Sequence, residues 1–120
     1  MSICVAVTDS TEGRAALVAA AEEAVRMGVL LVAVNLTGAD LALPDLGDEL
    51  SAEEVVPTRP SALDEIEQVL QVLEERPEIT RLVVGVRRRS PVGKAVLGSI
   101  AQRLILEAPV PVLSVKAAQG

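Results

Sequence analysis

Residues 3–36 read ICVAVTDSTEGRAALVAAAEEAVRMGVLLVAVNL, and the pattern changes in kind twice along that stretch. Ile3–Thr8 is a short, continuous, largely β-branched run, as a strand buried on both faces requires. Ser10 or Thr11 can cap a helix, and Ala15–Met27 is rich in strong helix formers. Leu17, Ala20 or Ala21, Ala24 and Val25 fall on one side of it. Gly28 stands where a helix C-terminal glycine belongs. Val29–Leu36 is a second buried run. Strand, helix and strand in this order predict a right-handed βαβ unit.

The remainder continues the alternation. Residues 37–60 are irregular and acidic, with Gly38, Pro44, Gly47, Pro57 and Pro60, and Glu54–Val56 has the makings of a very short strand. Ser61 followed by Asp64 has the pattern of a helix start, and Leu63, Ile66, Val69 or Leu70, and Leu73 continue at helical spacing up to Pro77. Leu82–Val86 is another buried strand. Ser90-Pro91 reads as a cap with proline at the first helical position. Val92, Val96, Ile100 and Leu104 recur every fourth residue, which predicts a helix to about Ala108. Val110–Val115 is the last strand, and Pro111, which lacks a ladder donor, places it at an edge. The fold expected is a single α/β domain over residues 1–120. It has a five-stranded parallel, Rossmann-like sheet and helices on both faces.

The composition supports one core and removes several functions. Half of the 120 residues are apolar, yet Phe, Tyr, Trp and His are absent and there is one Cys. The core must be Val, Leu, Ile and Ala. Stacking of bases on aromatic side chains is ruled out, as are a zinc or iron–sulfur centre and a Ser-His-Asp or Cys-His centre. A net charge of −6 argues against nucleic acid or an anionic membrane as a partner. Cys4, mid-strand, reads as inert core. No leader-like segment and no bilayer-length apolar run is seen, so a cytoplasmic location is expected.

Charge is segregated. Twelve of the 17 acids lie from Asp40 to Glu78, whereas Arg81, Arg87, Arg88, Arg89, Lys94 and Arg103 share the span from Arg81 to Leu106 with no acid. Ligands of open parallel sheets bind beyond the carboxyl ends of the strands, where strand order reverses. Two loops should flank that point. One holds Thr8-Asp9-Ser10-Thr11. The other runs from Gly85 through Arg87, Arg88, Ser90 and Lys94 to Gly98-Ser99, and its cations, hydroxyls and glycines suit an anion such as phosphate. Asp9 has two roles open to it, as a helix cap or as an acceptor for a ligand's amine or hydroxyl. Arg87–Arg89 are open to being a solvated loop, and Gly98 to being a close-packing position. Gly93-Lys94 does not complete a P-loop, because Arg88 and Ala95 stand where that motif needs Gly and Ser or Thr. A phospho-receiver domain fits no better, because an acceptor Asp after the central strand is missing.

The segment Leu82–Val115, LVVGVRRRSPVGKAVLGSIAQRLILEAPVPVLSV, resembles the C-terminal signature of the universal stress protein family. The family's Gly-x2-Gly-x9-Gly-Ser/Thr motif is met at Gly85, Gly98 and Ser99, with Arg88 in place of the second glycine. The resemblance covers essentially the whole chain, with the family's usual second helix reduced to the acidic Thr37–Pro57 stretch. It implies strand order 3-2-1-4-5 and binding of an adenine nucleotide, ATP first, with Mg arriving on the phosphates. Asp9 would hold base or ribose. Gly85, Ser90, Gly98 and Ser99 would surround the phosphates, and Arg87, Arg88 and Lys94 would neutralise them. Arg88 either obstructs the phosphates or holds them. The last strand, Val110–Val115, would pair two protomers. Binding in a stress-response role, rather than turnover, is expected. The alternatives are a member without nucleotide that serves as a protein-interaction module, and a slow ATPase.

Overall fold

The computed structural model describes residues 1–57, 64–88, 95, 96 and 99–117. Five strands form the expected parallel sheet: β1 (Ser2–Val7), β2 (Leu30–Asn35), β3 (Ala52–Val55), β4 (Ile79–Arg88) and, after the two-residue β5 (Ala95–Val96), β6 (Val112–Lys116). Their order is β3-β2-β1-β4-β6, which is 3-2-1-4-5 counted along the five parallel strands. β1 lies at the centre, and all six of its residues are buried. It pairs with β2 from Ser2↔Leu30 to Val7↔Asn35 and with β4 from Ile3↔Arg81 to Val5↔Val83.

Helix α1 (Thr11–Met27) covers one face of the sheet, and α2 (Glu65–Glu75) and α3 (Ser99–Glu107) cover the other. Successive strand residues point to opposite faces, so β1 divides its side chains between two cores. Ile3, Val5 and Val7 meet Ala16, Leu17, Ala20, Ala21 and Ala24 of α1. Cys4 and Ala6 meet Ile66, Val69 and Leu73 of α2 and Ala101 and Leu104 of α3. Alanine along α1 lets that helix lie close to the sheet.

The helix ends follow local chemistry at three points. First, α1 begins at Thr11 with Ser10 as its cap, one of the two caps expected from the sequence, because the Ser10 hydroxyl accepts from the Gly13 N–H at 2.9 Å. It ends at Gly28, at φ 67°, whose N–H reaches the Ala24 and Val25 carbonyls. Second, α2 is capped by Asp64, whose carboxylate accepts from Glu67 N–H at 2.8 Å; Ser61 lies outside the described residues. That hydrogen bond, with help from the Arg103 charge, holds the Asp64 carboxyl below its usual range.

Third, the helix expected from Ser90 begins only at Ser99. β4 runs on to Arg88, and Arg87↔Val96 and Arg88↔Ala95 pair antiparallel as a two-residue ladder. A continuous helix would have carried Gly93 and Gly98 in its interior, at about 1 kcal/mol each. Strand pairing instead gives Ala95 and Val96 ladder partners. At the far edge β6 begins at Val112, and the carbonyl of Pro111 accepts from Leu82 N–H at 3.0 Å. Among the described residues β6 has a parallel partner on one side alone, β4.

Burial of Cys4 pushes its thiol up to about 12, against a smaller opposing pull from the Arg76 charge. A neutral, inaccessible thiol does not react. We expect a thiol reagent to modify no cysteine in the native protein and one in denaturant. Because the folded value lies above the unfolded one, the associated stability is complete below about pH 9 and is lost as pH rises towards 12. Modification of the native protein at the rate of a free thiol would contradict this placement.

Candidate functional site

Strand order reverses between β1 and β4, and a cleft of about 390 Å³ opens there at their carboxyl ends. That volume lies within the range of small-molecule sites. Its floor is apolar, from Ala6, Val84, Ile100, Ala101 and Leu104. Thr8 and Ser10 supply hydroxyls, joined to each other at 2.7 Å. Asp9, Glu12 and Arg87 add charge. The cleft therefore combines an apolar bed with a polar and charged rim, which suits a flat ring carrying hydroxyl or anionic groups.

Two glycines hold these walls together. A Cβ on Gly85 would stand 2.1 Å from the backbone oxygen of Glu12, and one on Gly13 would stand 2.2 Å from that of Thr8. The first turn of α1 thus lies directly against β4 and against the loop that leads into it. The motif glycine Gly85 has a packing role here, since the space it leaves is filled by helix backbone.

Of the residues singled out from sequence, the cleft brings together Asp9, Gly85 and Arg87. Asp9 does not cap α1, a role that Ser10 fills. Its side chain is 77% exposed and stands 3.5 Å from Arg14. Arg87 reaches the Glu12 carboxylate, Nε to Oε2, at 3.4 Å. Arg88 ends β4, and its backbone pairs with Ala95. Ser99 opens α3, next to the cleft residue Ile100. Ser90, Lys94 and Gly98 lie outside the described residues. Glu12 escaped the sequence reading, because an acid in the first turn of a helix is equally well explained by the helix dipole.

Among the described residues no group of three or more His, Cys, Asp or Glu is placed to hold a metal ion. No helix among them is long and apolar enough to cross a membrane.

A family model, the universal stress protein family, matches residues 1–116. The chain belongs to the universal stress protein family. A universal stress protein of Mycolicibacterium smegmatis is 40% identical over 117 aligned positions, covering 87% of this chain and 88% of that one. Among solved structures, a universal stress protein from Archaeoglobus fulgidus superposes with a TM-score of 0.71 at 29% identity, covering 97% of this chain and 98% of that chain. A structure of the Archaeoglobus fulgidus universal stress protein in complex with dAMP gives a TM-score of 0.65 at 25% identity, with 97% and 98% covered. In this member of the family, the motif's first glycine is the residue that admits α1 to β4.

Proposed function

We propose that this universal stress protein binds an adenine nucleotide, ATP first, in the cleft between β1 and β4, and acts in the cytoplasm by binding rather than turnover. The observation that carries the reading is the cleft itself, an apolar floor under hydroxyls and charge at the reversal point of a fold whose relative is seen with dAMP. In this reading Asp9 takes the base or ribose. Ser99, Gly98 and Ser90 take the phosphates with Arg87, Arg88 and Lys94, and any Mg comes in on ATP.

The chain has no Phe, Tyr or Trp, so it is nearly dark at 260–280 nm. A clear 260 nm band in purified protein, with adenine nucleotide in an acid extract, is the expected result. Calorimetric titration completes the test, and absence of binding to ATP, AMP and dAMP at millimolar concentration would overturn the reading in favour of an interaction module. Arg88→Ala should weaken ATP binding by about 1.5–3 kcal/mol, the range of a hydrogen bond to a charged group. Tighter binding by that variant would make Arg88 an obstruction.

We also propose a homodimer through the last strand, residues 110–115. β6 has an open side among the described residues, and Leu113 beside it and Leu106 on α3 are 43% and 74% exposed. Unpaired strand edges with exposed apolar side chains are associating surfaces. Light scattering should return twice the chain mass, and Leu113→Lys should return monomer. A wild type that stays monomeric at high micromolar concentration would contradict the proposal.

A further inference from the structure

Glu12 and Arg87 face each other across the mouth of the cleft, one from the first turn of α1 and the other from the end of β4. The two differ in freedom. The backbone of Glu12 lies in the space left by the missing Cβ of Gly85, and its side chain is 17% exposed. The Arg87 side chain is 55% exposed at the rim. Glu12 is therefore anchored at its backbone and keeps its charge at the mouth of the cleft, whereas Arg87 has solvent to swing into. Arg87 meets Glu12 through Nε alone, at 3.4 Å. An anion that draws Arg87 to itself weakens that contact and meets the Glu12 carboxylate beside it. A neutral ligand leaves the pair intact.

We propose that Glu12 is a specificity-determining residue, a fixed negative charge that penalises ligands in proportion to their anionic charge and so narrows the advantage of triphosphate over monophosphate and nucleoside. The inference rests on the reading of the cleft as a nucleotide site and adds a residue that the family motif does not contain. The penalty grows with the ligand's charge because Coulomb energy is proportional to it at fixed distance. Cations elsewhere at the cleft act equally on wild type and on a Glu12 variant, so a comparison of the two isolates Glu12.

The experiment titrates adenosine, AMP and ATP into the whole chain at about 0.15 M salt. It compares wild type, Glu12→Gln and Glu22→Gln. The last makes the same change in net charge at an exposed position of α1, about 15 Å away along the helix and beyond the screening length of about 8 Å. Glu12→Gln should bind ATP about fivefold tighter, at the upper end for a partly exposed ion pair. AMP should gain less and adenosine nothing, while Glu22→Gln should match wild type. Arg87→Gln supplies an independent arm, because it should weaken ATP more than AMP and leave adenosine unchanged. The inference is overturned if Glu12→Gln leaves ATP affinity unchanged or lower, if all three ligands gain equally, or if Glu22→Gln reproduces the gain. Wild type that binds nucleotide with no Glu12 effect sinks this inference alone. Failure of every variant to bind any of the three sinks the nucleotide reading and this inference with it.

Discussion

Replacing Gly85 with alanine is expected to lower folding stability by about 3 kcal/mol, the upper end of the usual overpacking range, in a protein whose total stability is about 5–15 kcal/mol. The new Cβ would stand 2.1 Å from the Glu12 carbonyl oxygen and 2.4 Å from its carbon. Both are backbone atoms, so no side-chain rotation relieves the contact. β4 cannot retreat, because β1 and β6 hold it from both sides. Nor can α1 slide back freely, because Gly13 packs equally closely against Thr8. The first turn of α1 must shift, carrying the Ser10 hydroxyl out of the cleft wall and deforming the cleft, and ligand affinity should fall along with stability. Gly28→Ala makes a useful contrast. Open space surrounds that position, but φ is 67°, so the cost is backbone strain of about 1–2 kcal/mol with the cleft untouched. Urea denaturation of the three proteins gives both numbers. A Gly85→Ala loss under about 0.5 kcal/mol, the level of an ordinary surface substitution, would mean that the close approach of α1 to β4 is wrong.

How much of this architecture is legible in sequence depends on the range of the interaction that decides each element. β1, α1 and β2 are set by local chemistry. β-branched runs make the strands, Gly28 stops the helix, and the buried runs on either side leave parallel pairing as the way to hide both faces. The reversal point follows from that order, and with it the neighbourhood of Asp9, Gly85 and Arg87. The start of α3 is different. Val92, Val96, Ile100 and Leu104 keep helical spacing, yet Ala95 and Val96 pair with Arg88 and Arg87. Local periodicity does not reveal a ladder formed with the end of an earlier strand. The cap of α2 falls between these cases, since the local pattern locates the helix start but reads Ser61 as the cap and Asp64 as its acid, whereas the hydrogen bond from Glu67 N–H makes Asp64 the cap.

The site shows the same division. A glycine at position 85 is visible as part of a motif, but the reason for a glycine is the backbone of Glu12, distant in sequence and adjacent in space. Glu12 itself has no distinguishing local signal. It becomes a cleft residue only because α1 lands on β4, which turns an ordinary first-turn acid into the partner of Arg87.

The second large effect is expected at Leu104. This side chain is fully buried, belongs to the core shared by the sheet, α2 and α3, and also borders the cleft. Leu104→Ala should cost about 2–5 kcal/mol, the usual cost of truncating a buried leucine. The lower part of that range is favoured, because space freed beside an open cleft can admit water instead of remaining an empty cavity. The consequence for function is larger than the energy suggests. α3 has nine residues, well short of the length at which an isolated helix holds itself together. Its attachment to the sheet rests on Ala101 and Leu104, the two α3 residues in the buried core. The Arg103 ion pair with Asp64 is exposed, and such pairs add little. Truncating Leu104 should therefore loosen α3 before the rest of the domain opens, and with it Ser99 and the Ile100 wall of the cleft. Hydrogen exchange should show the α3 amides losing protection while those of β1 and β2 keep theirs, and adenine nucleotide affinity should fall in the same variant. Uniform loss of protection across the chain, or a stability change below about 1 kcal/mol, would show that α3 is held by something other than Leu104.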